Sequence, residues 1–144
     1  MSAANKVNRN AFFQAFLACD DTLRIYRGEK MVFSSRKDRL LPLMDFIAAR
    51  KNAPDSLVIY DKVMGNAAAL LAVVVKAGEV CSPLGSELAV KTLDRYGIKH
   101  RLEKLVPFIM RDDGKDLCPM EQLSIGKSPD EFYKIMRARI GGAR

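Results

Sequence analysis

Residues 57–69 read "LVIYDKVMGNAAA", an apolar run that stops at Asp61-Lys62, bends through Gly65 and restarts on alanines. Leu57-Val58-Ile59-Tyr60 is short, β-rich and apolar on both faces, the pattern of a strand covered by helices on each side. From Asn66 to Lys76 the chain reads as a helix closed by Gly78, since glycine ends helices in the left-handed conformation. Ala67, Ala68 and Ala69 are small residues that let this helix lie close on the sheet. A strand, a tight bend and a helix in this order make half of a parallel crossover unit, and this reading sets the fold class.

The same punctuation extends in both directions. Downstream, "EVCS" (79–82) reads as a brief strand, and Ser82 and Pro83 read as the cap and first turn of a helix running to Tyr96 and stopping at Gly97. "IKHRLE" (98–103) is a more polar strand, expected near an edge. "LVPFIM" (105–110) fits either a short helix or a strand, and "RDDGKD" (111–116) is turn-rich. "CPMEQL" (118–123) opens a short helix. "SPDEFYKIMRARI" (128–140) is a final one, with Ser128 and Glu131 spaced as a capping box. Upstream, Arg9 to Ala18 carry Phe12, Phe13, Phe16 and Leu17 at helical spacing. "TLRIYRGEKMVFSS" (22–35) reads as a hairpin turning at Gly28-Glu29. In "LLPLMDFIAARK" (40–51), Leu40, Leu43, Met44 and Ile47 form one stripe and Pro42 falls in the first turn.

These elements predict an α/β fold: a three-layer α/β/α sandwich around a mixed five-stranded sheet. The third and fourth strands are parallel neighbours, and right-handed crossovers place helices on both faces. At 144 residues the chain is expected to be a single domain over 1–144, with 1–20 as an N-terminal helical extension and 21–140 as the core.

Composition narrows the function classes. The longest uncharged apolar stretch, Val63 to Val75, is too short for a membrane span, and "MSAANKVNRN" lacks the pattern of a secretory signal. Cys19, Cys81 and Cys118 are odd in number and far apart, which argues against a disulfide framework and for reduced thiols. A cytoplasmic protein with no membrane association is expected. The net charge of +7 comes from dispersed basic residues often set beside acids, so a solvated surface is favoured over a nucleic-acid stripe.

Sheets of this kind bind ligands beyond the carboxyl ends of their strands. Asp61 and Cys81 both follow core strands. Asp61, Lys62, Gly65 and Asn66 together offer a carboxylate, an ammonium group and free helix N-terminal N–H groups. They read either as a site for a small polar or anionic ligand or as a structural cap. Cys118 sits at the expected N-cap before Pro119, where a helix dipole favours thiolate, with Glu121 opposing it. A reactive thiol and a buried small hydrophobe are both consistent with that position. The only histidine, His100, lies in a predicted edge strand, and no spacing demands a metal. No cofactor and no metal are expected.

"LVIYDKVMGNAAALL", "VCSPLGSELAVKTLDRYGIKHRLEKLVP" and "DLCPMEQL" together resemble an uncharacterised prokaryotic domain-of-unknown-function family with a cytidine-deaminase-like fold. The resemblance covers about Asp21 to Arg137 and implies a mixed five-stranded sheet between helices. Zinc deaminases carry a His/Cys-x-Glu triplet and a Pro-Cys-x-x-Cys motif at two helix starts. The resemblance puts the triplet on Asn66-Ala67-Ala68 and the second motif near Cys81-Ser82-Pro83, with neither a ligand set nor a proton-shuttling glutamate. Zinc-dependent deamination is therefore not expected. What remains is a small-molecule site, nucleotide-like in its ligand, at Asp61, Lys62, Gly65, Asn66, Cys81, Ser82 and Cys118. The alternatives are a zinc-independent enzyme using Cys118 as nucleophile or redox thiol, with Asp61 or Lys62 handling protons, and a basic nucleic-acid-binding module. The aromatic N-terminal helix also offers a surface for a homodimer.

Overall fold

A computed structural model of the chain describes residues 3–49, 56–111 and 114–142. Helix α1 (Ala3–Leu17) leads into a hairpin of β1 (Leu23–Arg27) and β2 (Lys30–Ser35), followed by α2 (Leu41–Ala49). Gly28 turns the hairpin with φ 63°, a conformation that glycine adopts without the penalty a Cβ brings. Then come β3 (Leu57–Asp61), α3 (Asn66–Val74), β4 (Glu79–Ser86), α4 (Glu87–Arg95) and β5 (Lys99–Val106). Two helices, α5 (Pro119–Ser124) and α6 (Pro129–Gly142), close the chain. Four residues of the expected elements, Arg50, Lys51, Asp112 and Asp113, lie outside the described set.

The sheet is mixed, in the order β2-β1-β3-β4-β5. β1 runs antiparallel to both β2 and β3, whereas β3, β4 and β5 are mutually parallel. The β3–β4–β5 path steps twice in one direction, so two right-handed crossovers put α3 and α4 on the same face, where they pack on each other. This corrects the expectation that the crossovers cover both faces. Among the described helices, only α1 lies on the other side. Its Phe13 and Phe16 are fully buried against Tyr26, Val58, Tyr60 and Cys81.

Side-chain parity along β3 divides the two cores. Leu57 and Ile59 join the helix-side core with Leu70, Leu71, Leu93 and Phe132, while Val58 and Tyr60 join the aromatic cluster under α1. Tyr60 is buried there with its ring edge-on to Tyr26, at a centroid distance of 5.5 Å. All five β3 residues are buried, as a central strand between two covered faces requires.

Two boundaries differ from the sequence reading. β4 does not end at Ser82 but continues to Ser86, and α4 begins at Glu87 with Ser86 as its cap, its Oγ accepting from the Ala89 N–H at 3.1 Å. The extension exists because the segment from Leu84 to Ser86 has neighbours on both edges. Met64 N–H donates to the Leu84 carbonyl and Ser86 N–H to the Met64 carbonyl, while β5 pairs along the opposite edge. Pro83 interrupts that ladder, and the Ser82 hydroxyl bridges the gap, donating to the Leu84 carbonyl at 2.9 Å and accepting from its N–H at 3.3 Å. The second difference is at the end of α3. There Lys76, with φ 59°, takes the left-handed position that Gly78 was expected to fill, and Gly78 instead donates to the Leu57 carbonyl as β4 begins. The capping box of α6 is present, with Ser128 N–H donating to Glu131 and Glu131 N–H to the Ser128 hydroxyl.

Candidate functional site

After Tyr60 the β3 and β4 ladders part, and they meet again where Met64 bridges to Gly85. Asp61, Lys62 and Val63 span that gap, with Asp61 still in register with Leu23 of β1. A cleft of about 750 Å³ opens there, lined by Asp61 and Gly65 at the strand end, by Arg39 after β2, and by Arg111, Cys118 and Glu121 after β5. Its size suits a small-molecule ligand.

Asp61 continues the parity of Leu57 and Ile59 and so faces the helix side, only 8% exposed. One carboxylate oxygen accepts from the Val63 N–H at 3.3 Å. Burial raises its pKa to about 7, against the opposing pull of nearby backbone N–H groups and the Lys62 charge. Loss of hydration outweighs the weak compensation available to the charged form.

Lys62, expected to present its ammonium group to a ligand, turns inward. Nζ donates to the carbonyls of Cys19 and Asp21, each at 2.8 Å, and lies 4.4 Å from the centroid of the Phe16 ring. It acts as a clamp between the end of β3 and the α1–β1 junction, and only part of the residue borders the cleft. Beneath this junction Asp21 binds Arg24 and Arg36, and the Arg24 hydrogen bond holds its carboxyl below the usual carboxylate range.

The N-terminus of α3 already has an anion. Glu121, 2% exposed, reaches across from α5 so that one oxygen accepts from the Asn66 N–H at 2.7 Å and the other from the Ile109 N–H at 2.6 Å. The Asn66 side chain turns away from the cleft. Its Nδ2 donates to the Ser124 hydroxyl at 3.0 Å and its Oδ1 accepts from Thr92, tying α3 to α5 and α4. The Ser124 hydroxyl completes the network by donating to the Glu121 carbonyl at 2.6 Å. Thus the free helix N-terminus inferred from the sequence is filled from within the molecule.

Of the residues singled out in the sequence, Asp61, Gly65 and Cys118 share the cleft, with Lys62 at its wall. Asn66, Cys81 and Ser82 do not line it. Cys81 pairs with Tyr60 across parallel strands and so shares its face, under α1, where burial raises the thiol pKa to about 12. Ser82 is fully buried within the β4 irregularity. Cys118 is the N-cap of α5, where its thiol makes no capping hydrogen bond. The sequence reading missed Arg39, Arg111, Thr22 and Asp38 as cleft residues and the bridging role of Glu121. The Tyr60–Cys81 parity was available from strand pairing alone. The Glu121 contacts carried no local signal. Among the described residues, no three His, Cys, Asp or Glu side chains lie together so as to hold a metal ion. No described helix is long and apolar enough to cross a membrane.

A family model described as TM1506, a domain of unknown function (DUF1893), matches residues 13–140. Among solved structures, the crystal structure of a DUF1893 family protein (TM1506) from Thermotoga maritima is similar to this chain. Their TM-score is 0.82 at 24% identity, covering 96% of this chain and 92% of that one. At that identity the likeness shows the fold. No curated protein matches the chain.

Proposed function

The chain belongs to the DUF1893 family, and we propose that it binds a small polar or anionic metabolite, nucleotide-like in size, in the cleft at the carboxyl ends of its core strands. The observation that carries this reading is Asp61, a buried carboxylate set in the wall of the cleft, its pKa raised by burial to about 7. A carboxylate buried there costs stability and has no strong partner of its own, which is how binding sites differ from cores.

The architecture supports a three-layer α/β/α sandwich of the cytidine-deaminase-like kind. The sheet order places an antiparallel β1 between β2 and three parallel strands, with α1 on one face and the other helices opposite. Zinc-dependent deamination is not part of the proposal. Where that fold carries its His/Cys-x-Glu triplet, this chain has Asn66-Ala67-Ala68 opening α3. The carboxylate that reaches this helix start, Glu121, has both oxygens bound by main-chain N–H groups and is not free to shuttle a proton. Cys118 borders the same cleft and closes it on the α5 side.

Thermal-shift titration with a panel of nucleotides, nucleosides and sugar phosphates tests the reading. At least one compound is expected to raise the melting temperature of the wild-type chain and to lose that effect in Asp61→Asn. If every compound that binds does so equally well in the variant, the site lies elsewhere.

A further inference from the structure

Among the described residues, six charged ones border the cleft: Asp38, Arg39, Asp61, Lys62, Arg111 and Glu121. Two of them are spent on the protein itself. Lys62 holds two carbonyls and the Phe16 ring, and Glu121 holds the Asn66 and Ile109 N–H groups. Asp61 is buried, and that burial raises its pKa to about 7. Among the described residues that border the cleft, Arg39 and Arg111 remain as exposed cations with no side-chain ion pair, and Asp38 is the other exposed charge there.

Their placement follows from the sheet. Ser35 at the end of β2 is in register with Leu23, and Leu23 with Asp61 at the end of β3, so β2 and β3 finish level with each other. β5 is parallel to β3 through β4 and ends on the same side. Arg39 therefore enters the cleft from beyond β2 and Arg111 from beyond β5, with the Asp61 strand lying between those two strands in the sheet order. Arg39 holds a left-handed backbone, φ 60°, which is unfavourable for a residue with a long side chain. A guanidinium presents a planar fork of donors that fits phosphate oxygens, and two of them match a dianion.

We propose that the ligand is a phosphomonoester. Arg39 and Arg111 take its phosphate, and Asp61 takes a hydrogen-bonding group on the rest of the molecule. This rests on the metabolite-binding reading above and adds the class of ligand.

Paired probes test it: ribose 5-phosphate against ribose, cytidine 5′-monophosphate against cytidine, and inorganic phosphate alone, measured by calorimetric titration. In at least one pair the phosphorylated member is expected to bind about tenfold or more tightly than its parent. Arg39→Gln and Arg111→Gln should each remove most of that preference while leaving the far-ultraviolet circular dichroism unchanged. Equal binding of parent and phosphorylated probe, or a preference that survives both substitutions, overturns the phosphate anchor. If such binding is nonetheless lost in Asp61→Asn, the metabolite-binding reading stands without the anchor. If no phosphorylated probe binds at all, the phosphomonoester proposal is overturned, and the wider thermal-shift panel then decides the metabolite reading by itself.

Discussion

Two buried carboxylates border one cleft, and what faces each of them separates their roles. Glu121 receives a main-chain N–H on each oxygen at 2.6–2.7 Å, so its charge is matched by fixed donors. Asp61 accepts only weakly, from the Val63 N–H at 3.3 Å and from the neighbouring Lys62 N–H, and burial raises its pKa from 3.8 to about 7. Between those two values the folded chain keeps the Asp61 proton and the unfolded chain releases it. The folded state thus binds more protons in this window, and its stability falls as pH rises, by about 1.4 kcal/mol per unit from this group alone. Asp61→Asn keeps an acceptor for the Val63 N–H but cannot ionise. Its melting temperature should exceed that of wild type at pH 8, and the difference should shrink toward pH 4. Asp21, with its carboxyl pKa lowered by Arg24, loses its stabilising effect only as pH falls below the ordinary carboxylate range, so the two signals separate. Parallel pH–stability curves for wild type and variant would remove the buried-carboxylate account. Asp61 was legible in the sequence because a charge directly after a four-residue apolar strand is conspicuous. Glu121 was not, because its partners stand 55 and 12 positions away and neither spacing has a local signature.

Among the elements, the junction of α3 with α5 depends on a missing side chain. Gly65 has φ −82° and ψ 177°, which any residue adopts, so its backbone does not require glycine. Space does. A Cβ there would stand 3.0 Å from Ile109 Cγ1 and 3.1 Å from the Glu121 Oε1 that caps α3. Gly65→Ala is therefore expected to displace the Glu121 bridge and cost about 1–3 kcal/mol, within the range of overpacked sites. The cost would be read from the urea midpoint at unchanged m-value, and amide exchange should quicken at Asn66 and Ile109 together. An unshifted midpoint would show that the neighbours yield freely. Element types were legible from hydrophobic period and caps, and so were the Gly28 turn and the α6 box. The end of β4 was not. Ser82-Pro83 carries a local helix-start signal, but the Leu84 carbonyl and the Ser86 N–H bond Met64 while β5 lies in register along the opposite edge, and those tertiary ladders override the local preference.

For the whole molecule, the single strand β3 belongs to both cores. Leu57 and Ile59 support the helix side and Val58 and Tyr60 the α1 side, so losing either core strips one apolar face from a strand on which the other core still rests. Lys62 adds a second tie, fastening the end of β3 to the Cys19 and Asp21 carbonyls beside α1. The sequence revealed that β3 is covered on both sides. It did not reveal that, among the described helices, one face is covered by α1 alone, because the side of the sheet a helix takes follows from strand order rather than from periodicity. Phe16, at 0% exposure under α1, and Leu71, at 0% exposure on the opposite face, probe the two cores separately. Truncating either to alanine should cost about 2–5 kcal/mol. In each variant the far-ultraviolet signal should fall in one transition with tyrosine fluorescence, to which Tyr60 contributes from inside the α1-side core. If α1 were only an appendage, Phe16→Ala would instead split off an early tyrosine transition and leave the far-ultraviolet midpoint near its wild-type value.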